Sequence, residues 1–159
     1  LMKKHLSVFG VGPLYTIIVV FVTIVFFYLE NKNIIINLHN NIWDMVGNII
    51  GILFIIVGFI LWANAVIINK IAKNIRENNL VTSGAYKYVR NPIYTAVMFV
   101  LSGVIFYHGN IILIPLILFY YIFLSILLKN TEEKWLLQVY GEEYINYCKK
   151  VNRCIPWIK

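Results

Sequence analysis

Long apolar runs separated by short polar stretches dominate the pattern of this chain. Four runs contain no Lys, Arg, Asp or Glu, and they cover residues 8–29, 45–69, 92–108 and 111–128. A helix crosses a bilayer with about 20 apolar residues, so each run is long enough to span or nearly span one. Only Gly109 and Asn110 separate the last two runs, which predicts a tight antiparallel hairpin. The pattern predicts an all-α integral membrane protein with about four transmembrane helices.

The composition also indicates a membrane protein. Of the 159 residues, 60% are hydrophobic and 13% are charged, and a soluble domain of this size needs far less apolar surface. The length allows a single domain, residues 1–159. Membrane lipids are therefore among its expected partners.

The formal charge of +7 is distributed unevenly along the chain. With four spans, both termini, the loop after the second run and the C-terminal tail lie on one side. Thirteen of the fourteen basic residues lie on that side, and only Lys32 lies opposite. The positive-inside rule places this side in the cytoplasm, and we expect a bacterial or archaeal plasma membrane. The excess charge is then a topology signal, so no nucleic-acid partner is expected.

The two cysteines, Cys148 and Cys154, lie six residues apart in the tail. No His or second Cys pair lies near them at the spacing of zinc ligands. We therefore predict reduced, structural thiols and no metal site.

The polar loop at residues 70–91 contains residues that break helices. Gly84 permits backbone angles that other residues avoid. Pro92 suits the first turn of the third apolar helix, and it favours an extended conformation at Asn91. Non-helical backbone beside a bilayer is tolerated only where it is buried in protein or lines a cavity. We expect this loop to meet that condition.

The last 31 residues, 129–159, predict an amphipathic helical tail. Apolar residues recur at helical spacing in its first part, at Trp135, Leu136, Val139 and Tyr140. Gly141 predicts the end of that helix, and a second helix begins at Glu142. One side of the second helix carries Tyr144, Ile145 and Cys148. We expect the tail to lie against the membrane and the bundle.

Charged and polar groups collect at the predicted cytoplasmic ends of neighbouring helices. Glu132 and Glu133 follow the fourth run, where by themselves they are explained as first-turn acids of a new helix. Arg90 by itself is explained as a basic residue that anchors the third helix on the cytoplasmic side, as the positive-inside rule expects. Together with the non-helical loop at residues 70–91, these residues offer backbone donors, a cation, an amide, tyrosine rings and an anion. A zwitterionic, partly aromatic ligand would use all of these groups.

Two segments resemble the isoprenylcysteine carboxyl methyltransferase family, which has kinship to the phospholipid methyltransferases. Residues 80–94, LVTSGAYKYVRNPIY, resemble its cofactor loop, which usually ends in Arg-His-Pro-x-Tyr. Residues 132–156, EEKWLLQVYGEEYINYCKKVNRCIP, are similar to its C-terminal pattern of Glu-Glu, Phe-Gly-x-x-Tyr, a basic residue and Ile-Pro. The resemblance runs from Lys70 to the end, about half of the chain.

The resemblance implies an S-adenosylmethionine-dependent methyltransferase, with the cofactor bound at the cytoplasmic face by segments 78–94 and 129–156. The acceptor would be a lipophilic or prenylated molecule, such as a prenylcysteine carboxylate, that enters from the bilayer. Glu132 would hold the ammonium group of the cofactor, and Glu133 is also a candidate cofactor-binding residue, because which of the two carboxylates faces the cavity is left open. The implied cofactor-binding residues of the first segment are Leu80, Val81, Tyr86, Asn91, Pro92, Ile93 and Tyr94.

Two positions depart from the family pattern. Asn91 stands where the family has His, and an amide cannot be protonated as an imidazole can. Leu128 stands where carboxyl methyltransferases of this family tend to have an Arg that could hold the substrate carboxylate. Arg90 and Lys129 are the candidate substrate-binding residues in its place. Arg90 is also the candidate catalytic residue, which would orient the acceptor or stabilise the transferring pair.

Three other functions remain open. A phospholipid N-methyltransferase acting on an amine headgroup, such as phosphatidylethanolamine, is slightly favoured by Leu128, since an Arg there would repel an amine. A membrane reductase of the sterol type would share a related helical core but would require a nicotinamide cofactor. A membrane scaffold without activity is supported by the loss of the family His at Asn91.

Overall fold

Every regular element in the computed structural model, which describes residues 10–158, is helical. The all-α prediction is therefore confirmed for this part of the chain. A π-helical turn at Asn64–Ile68 extends the second helix, and two 3₁₀ turns lie at Gly84–Lys87 and Ile111–Leu113. The α-helices are α1 (Gly12–Asn31), α2 (Asn41–Ala63), α3 (Ile71–Arg76), α4 (Pro92–His108), α5 (Pro115–Asn130), α6 (Glu132–Tyr140) and α7 (Glu142–Lys150).

The ends of the helices follow local capping chemistry. α2 begins four residues before the predicted run because the side chain of Asn40 accepts a hydrogen bond from the Ile42 N–H at 2.9 Å. α4 begins at Pro92 and ends at His108, and the next residue, Gly109, has a φ of +86° that suits glycine. The first two residues of the predicted run at 8–29, like Lys3, Lys4 and Lys159, lie outside the described residues.

The chain is a multi-pass membrane protein. Within residues 10–158, three helical stretches are long and apolar enough to cross a bilayer, and they are Gly12–Asn31, Asn41–Ile68 and Ile111–Tyr140. α4 is also apolar but has only 17 residues. Many large apolar side chains on the long helices are exposed, which suits a lipid environment. That four helices span the membrane stays a prediction.

α2 and α4 pack antiparallel with their backbones close together. A Cβ added at Gly51 would lie 2.6 Å from the carbonyl oxygen of Gly103, and one added at Gly103 would lie 2.6 Å from that of Gly51. At Gly47, an added Cβ would lie 2.6 Å from the carbonyl oxygen of Phe106. Small residues allow such approach in membrane helix pairs, where dispersion contacts supply much of the association energy.

The main apolar core lies between α1, α4 and α5. Its fully buried side chains include Tyr15, Ile105, Tyr120 and Leu124. The buried hydroxyls of Tyr120 and Thr23 are 2.7 Å apart and satisfy each other. At the end of the bundle where α4 finishes, His108 Nε2 lies 2.7 Å from the buried Glu30 carboxylate of α1. These contacts fix α4 between its neighbours and position its first turn at the opposite end.

Replacing Gly51 with Val is expected to separate α2 from α4, because the new side chain meets backbone that cannot move aside. We expect a loss of about 1–3 kcal/mol in stability, seen as a lower Tm of the detergent-solubilised protein. The exposed neighbour Ile52 gives the control, since Ile52→Val changes a side chain outside this contact. Equal Tm values for the two variants would contradict the close packing.

Candidate active site

The start of α4 is attached to the C-terminal segment that follows α7. Asn91 and Thr95 are buried, so their polar atoms must find partners within the protein. The attachment holds the Arg-Asn-Pro sequence in a fixed position beside α7. Four hydrogen bonds form it: Arg90 N–H to Asn152 O (2.9 Å), Asn91 Nδ2 to Arg153 O (3.0 Å), Thr95 Oγ1 to Cys154 O (3.0 Å) and Trp157 N–H to Tyr88 O (3.3 Å).

Glu133 joins the same two segments through a cluster of charges. Its carboxylate accepts a bidentate pair of hydrogen bonds from Arg153, at 2.6 Å from Nε and 2.8 Å from Nη2. Arg90 Nη1 lies 3.1 Å from the same carboxylate and also contacts Cys148 Sγ. Arg153 in turn donates to Ser125 Oγ of α5 at 2.8 Å. The hydrogen bonds with Glu133 raise the pKa of Arg153, which stays charged.

Glu132 points in a different direction, because neighbouring residues on a helix are rotated by about 100°. Its Oε1 accepts hydrogen bonds from the Val11 N–H at 2.7 Å and from the Tyr94 hydroxyl at 2.5 Å. Gly10, with φ +51°, lies so close that an added Cβ would be 1.9 Å from this oxygen. The segment before α1 therefore packs directly on the Glu132 carboxylate.

A cleft lies between the loop before α4 on one side and helices α6 and α7 on the other. The space between these walls, part of which is open solvent, is about 830 Å³. Glu132 is the one carboxylate among the described lining residues. One wall is formed by α3, the loop and the first turn of α4, which contribute Ile71, Ile75, Asn79, Leu80, Val81, Tyr86, Arg90, Asn91, Ile93 and Tyr94. The opposite wall consists of Trp135, Leu136, Tyr140, Tyr144 and Tyr147, with Gly10 at one end.

Comparison with known proteins identifies the family. The model of the family described as phospholipid methyltransferase matches residues 46–143, which include the whole loop before α4 and all of α6. The chain belongs to the phospholipid methyltransferase family. It is similar to protein-S-isoprenylcysteine O-methyltransferase from Schizosaccharomyces pombe (strain 972 / ATCC 24843), with 34% identity over 90 residues. These residues are 55% of this chain and 37% of that protein, so the match covers little more than a third of the relative. No solved structure matches the chain.

The predicted resemblance to this methyltransferase family is therefore confirmed. The structure brings most of the candidate cofactor residues together in the cleft. Pro92 is instead buried in the first turn of α4, and Glu133 is held by the arginines outside the lining. Lys129 is exposed at the end of α5 and does not line the cleft. Eight candidates line it, namely Leu80, Val81, Tyr86, Arg90, Asn91, Ile93, Tyr94 and Glu132.

The two departures from the family pattern each have a structural explanation. The Asn91 amide donates a hydrogen bond to the tail, which requires no protonation. Leu128 is fully buried in the apolar core, where a charged side chain would be unfavourable. The guanidinium of Arg153 instead reaches Ser125, about one turn earlier on α5.

Several lining residues were not predicted as site residues. Tyr140, Tyr144 and Tyr147 are spaced as on one face of a helix. Gly141 interrupts the helix between the first two, so the sequence did not indicate that all three line one wall. Ile145, expected on the same side as Tyr144, is exposed. The contact of Gly10 and Val11 with Glu132 joins residues more than 120 positions apart, and no local pattern in the sequence indicates it.

The buried tyrosines of the cleft wall are neutral. Burial raises the pKa of Tyr86, Tyr144 and Tyr147 well above the ordinary value. The Tyr147 hydroxyl donates to the Tyr86 carbonyl at 2.5 Å, which joins α7 to the loop. The Tyr144 hydroxyl is buried beside Cys148 and has no well-formed hydrogen bond.

The Asn91→Asp substitution tests the attachment of the tail to α4. The side chain keeps its shape but loses the N–H donor, and its carboxylate then faces the carbonyl oxygen of Arg153. We expect a loss of at least about 1–3 kcal/mol in stability and faster trypsin cleavage in the tail. Asn146→Asp, at an exposed position of α7, is the control. Unchanged cleavage in Asn91→Asp would show that the amide does not hold the tail.

The two thiols are expected to differ in reactivity. Cys148 is half-buried, whereas Cys154 is fully buried and its burial raises the pKa to about 12. A maleimide should therefore modify one thiol per folded chain at neutral pH. Mass spectrometry should place the label on Cys148, and Cys148→Ser should remove it. Rapid labelling of Cys154 would contradict the packing of the tail.

Proposed function

We propose that this chain is an S-adenosylmethionine-dependent methyltransferase that acts on a lipophilic acceptor at the cytoplasmic face of a membrane. The observation that carries this proposal is the cleft, where segments 78–94 and 129–156 meet from opposite sides. Membership of the phospholipid methyltransferase family supports the reaction class. The similarity to a protein named protein-S-isoprenylcysteine O-methyltransferase supports a prenylcysteine carboxylate as acceptor.

The lining of the cleft fits the chemical groups of S-adenosylmethionine. Glu132 offers a carboxylate for the ammonium group, and the two hydrogen bonds on Oε1 leave about half of its acceptor positions free. Trp135 and Tyr140 offer aromatic faces for the adenine ring.

The chain's own contribution to methyl transfer is mainly positioning. S-adenosylmethionine, when bound, supplies a methyl group that its sulfonium already activates. The apolar walls of the cleft exclude water, and the rigid first turn of α4 fixes the geometry. Arg90, held by Glu133, lies in the wall and is the candidate to orient the acceptor. Asn91 has no acid–base role, which is consistent with a reaction that needs little proton transfer.

The proposed topology has four spans and both termini in the cytoplasm. α4 has 17 residues, about 25 Å of helix, and this nearly crosses a hydrocarbon core of about 30 Å. It packs antiparallel on α2, which is long enough to span. The end of the bundle that carries the cleft also carries Arg90, Lys149, Lys150 and Arg153, in agreement with the positive-inside rule.

A phospholipid N-methyltransferase is the second candidate. The description of the matching family favours it, because that description names a phospholipid as the methylated molecule. Transfer of a radiolabelled methyl group to a prenylcysteine analogue and to phosphatidylethanolamine, compared in one preparation, separates the two acceptors. Turnover that requires a nicotinamide reductant and no S-adenosylmethionine would contradict both.

Binding of S-adenosylhomocysteine tests the proposed cofactor site. We expect calorimetry on the detergent-purified protein to detect binding, and Glu132→Gln to weaken it by about tenfold or more, since a charge-assisted hydrogen bond is lost. Glu142→Gln is the matched control, because Glu142 is exposed and lies outside the cleft lining.

Circular dichroism and size-exclusion chromatography establish that each variant is folded. Absence of binding to the folded wild-type protein would contradict the methyltransferase proposal. Equal weakening by Glu132→Gln and Glu142→Gln would contradict the role of Glu132.

A further inference from the structure

Arg90 lines a second cavity in addition to the cleft. This cavity lies between α5, the end of α7 and the tail, and its space, part of which is open solvent, is about 510 Å³. Its lining includes Ser125, Lys149, Asn152 and Arg153. Unlike the aromatic cleft, it is mainly polar, so it suits a different class of ligand.

The cavity carries an excess of positive charge. Arg90, Lys149 and Arg153 line it, and no carboxylate does so among the described residues. Glu133 neutralises part of this charge by binding both arginines from outside the lining. Lys149 forms no ion pair within the described part of the chain. An anion is therefore the ligand that this set of groups would attract.

Arg90 supplies a second indication of a bound group. Its side chain is only 10% exposed, and its Nε has no hydrogen-bond partner. A buried N–H of a charged group usually has a hydrogen-bond partner, because without one the group loses its hydrogen bonds to water and gains none in return. An oxyanion in the adjoining cavity would place negative charge beside this unpaired donor.

The position of the cavity indicates a ligand that belongs to the membrane. Tyr121, which also lines the cavity, lies nine residues before the end of α5 at Asn130, so the cavity reaches about 14 Å along a membrane helix. Ile122 and Ile126, which follow Tyr121 and Ser125 in sequence, are 45% and 56% exposed. A polar, cationic cavity thus adjoins an exposed apolar strip, the arrangement that a phospholipid headgroup and its acyl chains require.

We propose that this cavity binds the phosphate of an anionic membrane phospholipid through Arg90, Lys149 and Arg153, with the acyl chains lying along α5. The site shares Arg90 with the cofactor cleft but is otherwise lined by different residues, and the lipid is a bound ligand that is not methylated. The proposal therefore does not depend on the methyltransferase function.

Lys149 and its neighbour Lys150 provide a matched pair of variants. Both lysines are exposed and carry the same charge, but only Lys149 lines the cavity. Native mass spectrometry in detergent, with phosphatidylglycerol or phosphatidylcholine added, measures lipid binding to each variant. We expect Lys149→Gln to weaken phosphatidylglycerol binding by about fivefold, with Lys150→Gln within about twofold of wild type. Equal weakening in both variants, or equal binding of the two lipids by wild type, would overturn the proposal.

Labelling of Cys148, another lining residue, gives a readout at the cavity itself. Phosphatidylglycerol should slow its reaction with a maleimide, and phosphatidylcholine should not. Inorganic phosphate forms a separate arm of the experiment. Protection by free phosphate at the concentration at which the lipid protects would overturn the assignment to a membrane lipid, and so would an absence of protection by phosphatidylglycerol.

Discussion

The hydrogen bonds between the start of α4 and the C-terminal segment are the contacts on which both cavities depend. The backbone after α7 is not helical, so its carbonyl groups need donors from elsewhere in the protein. The Arg90 N–H, the Asn91 amide and the Thr95 hydroxyl supply them to three successive residues. This attachment sets the distance between the loop and α7, and hence the width of the cleft. It also brings Arg153 beside Arg90, which creates the second cavity.

Two adjacent glutamates separate the electrostatics of the two cavities. Because Glu132 and Glu133 are rotated by about 100° on α6, one carboxylate lines the cleft and the other binds the arginines. The cleft is thus left with a carboxylate suited to an ammonium group, while the second cavity retains an excess of cations. Arg90 lines both cavities, so it links the region proposed for methyl transfer with the region proposed for lipid binding.

The helical fold could be predicted because it depends on local patterns, whereas the meeting of the two polar segments was implied by the family resemblance. Apolar runs mark the long helices, Pro92 marks the start of α4 and Gly141 marks the break in the tail. The ion pairs of Glu133 and the contact of Val11 with Glu132 could not be predicted, since they join residues distant in sequence and depend on tertiary packing. The positive φ of Lys70, which separates the π-helical turn from α3, also has no signal in the residue type. The role of each cleft residue in binding stays a prediction.

Ultraviolet cross-linking of radiolabelled S-adenosylmethionine, followed by peptide mapping, tests the central claim most directly. The claim is that one cleft, formed by the loop before α4 together with α6 and α7, holds the cofactor. The account predicts label in two peptides, one from residues 80–94 and one from residues 132–147, and competition by unlabelled S-adenosylhomocysteine in both. Label confined to other parts of the chain, or labelling that no competitor reduces, would contradict it.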